Sequence, residues 1–289
     1  MVYCNQKKVK KGRNSMALIQ ANFVSNSLKR TVPIQVILPA DKIVAGTAGC
    51  AEPKPFKTLY LLHGLLGNYT DWVTNTRLQQ WAEAKDLAVV MPSGDNSFYV
   101  DLNAPNSNYG EFIGKELVQI TRRMFPLSRR REDTFIAGLS MGGYGAIRNG
   151  LVCSETFSRI AGLSSAVHFF EAPPDKPGQS LMGEEWVFGC MQEARLTDKN
   201  PRVALAQLKK RGAPVPEMYL ACGLQDSLLE ANRSLKAHFE ENGIPITYEE
   251  TEGGHTWDFW NSQIRKVLDW LLLEDAAQGL NSGNVSVTK

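Results

Sequence analysis

Gly138-Leu139-Ser140-Met141-Gly142 places a serine two residues from a glycine on each side, a G-x-S-x-G pattern. Three fixed residues at ~7% frequency each recur by chance about 0.1 times in a chain of this length. The setting adds to the pattern. An apolar run over 133–139 leads into it, and a helical period over 141–151 begins at once. A nucleophile elbow needs that order: a strand, a turn too tight for side chains two residues from the serine, and a helix whose N-terminus faces the reacting oxygen. A phosphate loop would instead need G-x-G-x-x-G or a Lys-Ser/Thr pair at this turn, and neither stands there.

A serine hydroxyl at its ordinary pKa is a poor nucleophile and requires a base, which in turn requires an acid to orient it. Of the four histidines, His255 follows Glu252-Gly253-Gly254, between an apolar strand over 246–250 and the last helix, in a loop able to carry an imidazole back over the strand ends. His238 falls on a predicted helix as a surface residue, His168 lies in an irregular stretch where it could line a site, and His63 precedes Gly64. The chain order serine, acid, histidine confines the acid to residues between 140 and 255. Asp226 follows the strand predicted over 217–222 by a short Gly223-Leu224-Gln225 loop, at a strand end where such sheets gather functional groups. Asp175 and Asp198 lie in or near the irregular stretch, and Asp258 fails the order. Asp226 could also cap a helix beginning at Ser227.

Acyl transfer also needs two N–H donors for the developing oxyanion. Met141, directly after the serine, offers one. His63-Gly64-Leu65-Leu66-Gly67, after the strand over 57–63, offers the second, with Leu65 the expected donor.

These loops need a scaffold, and the chain supplies one. Short apolar runs over 57–63, 87–91, 133–139, 160–164, 217–222 and 246–250 alternate with helical periods over 78–86, 109–125, 141–151, 227–241 and 257–273. Continuous apolar strands separated by amphipathic helices mean a mostly parallel sheet with helices on both faces. In the second helix Ile113, Leu117, Ile120 and Met124 form the expected buried stripe. Residues 165–216 interrupt the alternation with Phe169, Phe170, Pro173, Pro174, Pro177 and Gly178, then Trp186 and Phe188. This insertion, near 165–200, is expected to cap the site, with Phe169, Trp186 and Phe188 among the pocket walls. Two further strands are expected near the start, over 17–24 and 31–38.

The chain has 289 residues, which for an α/β protein fits one domain over 16–275. Residues 1–15 read as a flexible basic extension and 276–289 as a loose tail. The formal charge of +2 conceals an asymmetry: residues 1–15 carry +5 and no acid, whereas the rest holds 27 basic against 30 acidic residues. A mildly acidic body lacks the positive field that a phosphate backbone requires, so no nucleic-acid partner is expected. No apolar stretch approaches the ~20 residues of a membrane span. The basic start is not followed by a signal-peptide apolar region, and five scattered cysteines without a Cys-x-x-Cys pair fit reduced thiols in a cytoplasm.

Taken together, Leu61-Leu62-His63-Gly64-Leu65, Ala88-Val89-Val90-Met91-Pro92, Arg131-Glu132-Asp133, Ala137-Gly138-Leu139-Ser140-Met141-Gly142-Gly143-Tyr144-Gly145-Ala146 and Gly253-Gly254-His255-Thr256-Trp257-Asp258-Phe259-Trp260 resemble the tributyrin-esterase branch of the esterase D family. That branch is related to S-formylglutathione hydrolases, feruloyl esterases and mycolyltransferases. The resemblance implies a single-domain α/β-hydrolase acting on short-chain acyl esters as a serine carboxylesterase. It implies Ser140, Asp226 and His255 as the triad, the amides of Leu65 and Met141 as the oxyanion hole, no cofactor or metal, a small-molecule ester as partner, and often a homo-oligomer. S-formylglutathione hydrolases usually carry Thr-Cys where this chain has Leu66-Gly67, which favours general carboxylesterase activity. S-formylglutathione hydrolase and feruloyl or acetyl-xylan-type activity remain alternatives, as does a non-catalytic interaction module on the same fold.

Overall fold

The computed structural model describes residues 17–41, 54–171 and 184–276. The basic extension, most of the tail, much of the 39–56 connection, Asp175 and the middle of the insertion lie outside them.

Among the described residues eight strands form one sheet: β1 (Ala17–Ser25), β2 (Arg30–Leu38), β3 (Lys57–Leu62), β4 (Leu87–Pro92), β5 (Thr134–Leu139), β6 (Arg159–Leu163), β7 (Glu217–Gly223) and β8 (Ile246–Thr251). Their spatial order is β1-β2-β4-β3-β5-β6-β7-β8. β1 and β2 make an antiparallel hairpin whose second strand joins β4 antiparallel, and every pairing from β4 to β8 is parallel. The alternation of side chains along a strand sorts the core into two layers. Tyr60, Leu62, Ala88 and Val90 face one apolar cluster, whereas Leu59, Leu61, Val89 and Met91 face the other. β1, at the sheet edge, alternates half-buried and exposed residues.

The helices that position the site are α1 (Leu78–Glu83), α2 (109–124), α3 (Met141–Val152), α4 (Pro201–Arg211), α5 (Leu229–Glu241) and α6 (Trp257–Trp270). α3 is buried from Met141 to Leu151, against the sheet centre.

Two elements differ from expectation. α2 contains a π turn over Phe112–Glu116. The wider turn rotates the remainder of the helix, so Phe112, Ile113, Leu117, Val118 and Thr121 are buried while Met124, expected inside, is exposed. α4 lies within the stretch expected to be irregular. Asn200 caps it by accepting from Arg202 N–H, Pro201 starts it, and Gly212, with φ 62°, ends it in the left-handed region.

Connection order makes the sheet centre a natural site. The chain leaves β3 towards β4 on one side and reaches β5 on the other, and such a switch point opens a crevice at the strand C-terminal ends. The loops after β3, β5, β6, β7 and β8 all emerge at that edge.

Candidate active site

Ser140 follows β5 with φ 51° and ψ −117°, a conformation that costs a non-glycine residue about 1–3 kcal/mol. The surroundings impose it. Ser140 N–H donates to Leu163 O at 2.8 Å, and Ser140 O accepts from the amides of Ala166 at 3.0 Å and Tyr144 at 3.1 Å. The flanking glycines are steric requirements. A Cβ on Gly138 would lie 2.3 Å from Gly142 O, and one on Gly142 would lie 2.5 Å from both Leu62 O and His63 O. α3 therefore starts hard against the end of β3.

The three residues of the expected triad meet. Ser140 Oγ lies 3.0 Å from His255 Nε2, and His255 Nδ1 lies 2.9 Å from Asp226 Oδ2. A carboxylate can only accept, so Nδ1 carries the proton and Nε2 is left as acceptor for the serine hydroxyl. The other carboxylate oxygen of Asp226 accepts from Leu228 N–H at 2.9 Å. Asp226 does not cap a helix at Ser227, since α5 starts at Leu229; its bond to Leu228 instead closes the tight turn before it. The Asp226 side chain is fully buried whereas that of His255 is 36% exposed, which leaves the imidazole open to a substrate. Burial alone would raise the Asp226 carboxyl, but hydrogen bonds from His255, Leu228 N–H and Ser164 outweigh it and hold the pKa below the ordinary value.

The glycine loop after β3 lies beside the serine: a Cβ on Gly64 would stand 3.7 Å from Ser140 Cβ. His63 braces this loop, donating from Nδ1 to Gly64 O at 2.7 Å and accepting Gly94 N–H on Nε2 at 2.9 Å. Burial lowers its pKa and keeps it neutral, as those two bonds require. Tyr99 O–H donates to His63 O at 2.9 Å, and Asn96 accepts from Leu66 N–H at 2.9 Å. Sequence reasoning missed this turn after β4, although Gly94-Asp95-Asn96-Ser97 is a run of turn formers at a strand end.

The other candidates lie elsewhere. Asp198 is spent on the buried Arg148, 2.6 Å away, and His238 is half-buried on α5. His168 comes closer: burial and the charge of His255 lower its pKa to about 4, and its Nδ1 is buried without a hydrogen-bond partner. Phe169 and Phe188 are buried in an aromatic cluster with Phe98, Tyr144 and Phe170, at centroid distances of 5.2 to 5.9 Å, and so anchor the insertion to the body. Trp186 is 62% exposed.

Residues 25–271 match the Esterase family. An acetyl esterase of Caldicellulosiruptor saccharolyticus is 41% identical over 261 residues, covering 89% of this chain and 98% of that protein. Two solved structures from Staphylococcus aureus each cover 90% of this chain and 100% of their own. The fluorophosphonate-binding serine hydrolase FphF superposes with a TM-score of 0.80 at 28% identity, and the S-formylglutathione hydrolase FrmB with 0.77 at 30%. Among the described residues no helix is long and apolar enough to cross a membrane. The chain belongs to the Esterase family, as a serine carboxylesterase on the α/β-hydrolase fold.

Proposed function

We propose that this esterase cleaves short-chain acyl esters, acetyl esters foremost, with Ser140 as nucleophile, His255 as general base and acid, and Asp226 as the residue that orients it. The unbroken line of hydrogen bonds from Asp226 Oδ2 through His255 to Ser140 Oγ carries this reading. Ser140 Oγ attacks the ester carbonyl while His255 Nε2 takes its proton. The ionised, buried Asp226 stabilises the imidazolium that forms. The amides of Leu65 and Met141 donate to the oxyanion, a contribution of about 10²–10³ in rate per donor. As the tetrahedral intermediate collapses, Nε2–H protonates the leaving alcohol. Water, deprotonated by the same nitrogen, then releases the acid and frees Ser140.

The extensive likeness to an acetyl esterase supports the acetyl preference. A thioester reading, favoured by the FrmB likeness, is the second. Ser140→Ala should abolish turnover of p-nitrophenyl acetate and labelling by a fluorophosphonate, with the fold intact; substantial residual turnover would refute the assignment. A panel of acetyl to octanoyl p-nitrophenyl esters, methyl ferulate and S-formylglutathione separates the branches. The remaining parts of this reading are one hydrolase domain over 16–275, a cytoplasmic location, no nucleic-acid partner, self-association as in the family, and Phe169, Trp186 and Phe188 near the pocket. The location is consistent with the free thiols of Cys153, Cys190 and Cys222.

A further inference from the structure

β7 and β8 pair in parallel as far as Gly223 and Thr251, and the two chains then leave the sheet as the loops that carry Asp226 and His255. The loops stay together. Leu224 N–H donates to Thr251 O at 2.9 Å, and Gln225 N–H donates to Gly253 O at 3.0 Å. The approach is so close that a Cβ on Gly223 would stand 2.1 Å from Gly253 O. The Gln225 side chain adds two further bonds. Its Oε1 accepts Gly253 N–H at 2.8 Å, and its Nε2 donates to the Glu252 carboxylate at 2.8 Å. The partners fix which way the amide points, because a backbone N–H can only donate and a carboxylate can only accept. Gly253 is thus held through both of its backbone groups by one residue, the neighbour of Asp226.

The segment so held is the one that needs holding. Gly253 and Gly254 directly precede His255, and Gly253 has φ 136°, a conformation that side-chain-bearing residues rarely adopt. Two successive glycines turn more freely than any other backbone, so they form a hinge beneath the base. The His255 side chain is partly exposed, and its hydrogen bonds go to Asp226 and Ser140. Rotation at the hinge would draw the imidazole away from both at once. Without the Gln225 amide, Gly253 N–H turns to water and the hinge keeps one bond to the acid loop in place of two.

We propose that Gln225 is a positioning residue: it clamps the Gly253-Gly254 hinge and so keeps His255 in line with Asp226 and Ser140, while Glu252 fixes the orientation of the clamping amide. The proposal rests on the reading of Asp226 and His255 as acid and base. Gln225 acts on turnover through the place of the imidazole. Both Gln225 and Glu252 are exposed, and the backbone bonds of Leu224 and Gln225 hold the loops together without the side chain, so the clamp contributes little to global stability. Its effect falls on turnover instead of on folding.

The test compares Gln225→Ala, Gln225→Glu and the exchanged pair Gln225→Glu/Glu252→Gln with the parent enzyme on p-nitrophenyl acetate. Gln225→Ala should lower kcat about fivefold or more with KM within about twofold, since a misplacement of about 1 Å can cost about 10²-fold. Its urea midpoint should match the parent's, and hydrogen exchange at Gly253 N–H should speed up about tenfold, because only the local restraint is lost. Gln225→Glu sets a second carboxylate against that of Glu252, and like charges in contact repel, so kcat should fall at least as far. The exchanged pair restores the clamp with donor and acceptor reversed: the carboxylate introduced at position 225 accepts both Gly253 N–H and the amide introduced at position 252, at the parent's net charge. Its kcat should return to within about twofold of the parent's, a coupling that two independent sites would not show. Parental kcat and Gly253 protection in Gln225→Ala, or an exchanged pair no faster than Gln225→Glu, would overturn the proposal. A change confined to KM would place Gln225 in substrate binding and overturn it equally. Parental turnover in His255→Ala would instead overturn the reading of the base, and the proposal with it.

Discussion

Asp226→Asn is nearly isosteric and isolates the electrostatic and tautomeric role of the carboxylate. In the parent one carboxylate oxygen accepts from Leu228 N–H and the other from His255 Nδ1–H, both at 2.9 Å. An asparagine can satisfy Leu228 only by placing its oxygen there, which turns its NH₂ towards Nδ1. The imidazole must then carry its proton on Nε2, pointing at Ser140, and the serine has no base. The variant escapes by flipping the amide, which leaves a buried N–H facing NH₂ at about 1–3 kcal/mol. Even then the neutral oxygen supports the imidazolium less well than a carboxylate, by about 1.5–3 kcal/mol. Together these lower kcat by roughly 10²–10⁴-fold at 1.36 kcal/mol per tenfold, a range that reaches the ~10⁴ known for the same change in a serine-protease triad. Initial rates with p-nitrophenyl acetate, on protein whose urea unfolding matches the parent's, measure it. A folded Asp226→Asn enzyme within tenfold of the parent would refute the reasoning.

Two more perturbations test the scaffold. Gly142→Ala pushes a Cβ to 2.5 Å from the carbonyl oxygens of Leu62 and His63, backbone on both sides, so stability should drop by about 1–3 kcal/mol in urea unfolding and turnover should fall with it. His168 is held neutral, its pKa lowered by burial and by His255 to about 4, so the unfolded chain binds a proton that the folded one refuses. Its contribution is present above about pH 6.5 and is lost as the pH falls from there towards 4, by about 2 kcal/mol once partial exposure is discounted. His168→Leu should flatten that part of the parent's stability profile, measured as urea midpoints at pH 7 and pH 4.5. An unchanged slope would contradict the burial of a neutral ring.

The meeting of Ser140, His255 and Asp226 was legible because a triad needs particular residue types at the ends of strands, and strand ends can be read from apolar runs. Ser140 stood out because its glycines are forced: no other residue fits where Gly138 and Gly142 approach each other and the end of β3. Asp226 and His255 followed from their loops after β7 and β8. The parts that hold these residues were less visible because their bonds join segments far apart in the chain. His63 reaches Gly94 across 31 residues, and Asn232 exchanges hydrogen bonds with the backbone of Ser165 across 67. Nothing in the local pattern of either segment names its partner.

The helix α2 and the insertion show a second limit. A residue's face depends on the rotation accumulated along its helix, and the π turn over Phe112–Glu116 changes that rotation without an apolar signature of its own. In the insertion, Phe169 and Phe188 satisfy two demands that composition cannot tell apart, since a pocket wall and an anchor both call for large apolar rings. The deciding quantity is what the rings touch. Packed edge to face on Phe98 and Tyr144, they remove aromatic surface from water within the protein itself, at about 0.5–1.5 kcal/mol per pair beyond area burial. Rings so engaged give a rigid floor to the segment that begins beside Ser140, where Ala166 N–H meets the serine carbonyl at 3.0 Å. The anchor and the turn at Ser140 are thus one piece of structure, and the aromatic run fixes the backbone next to that serine.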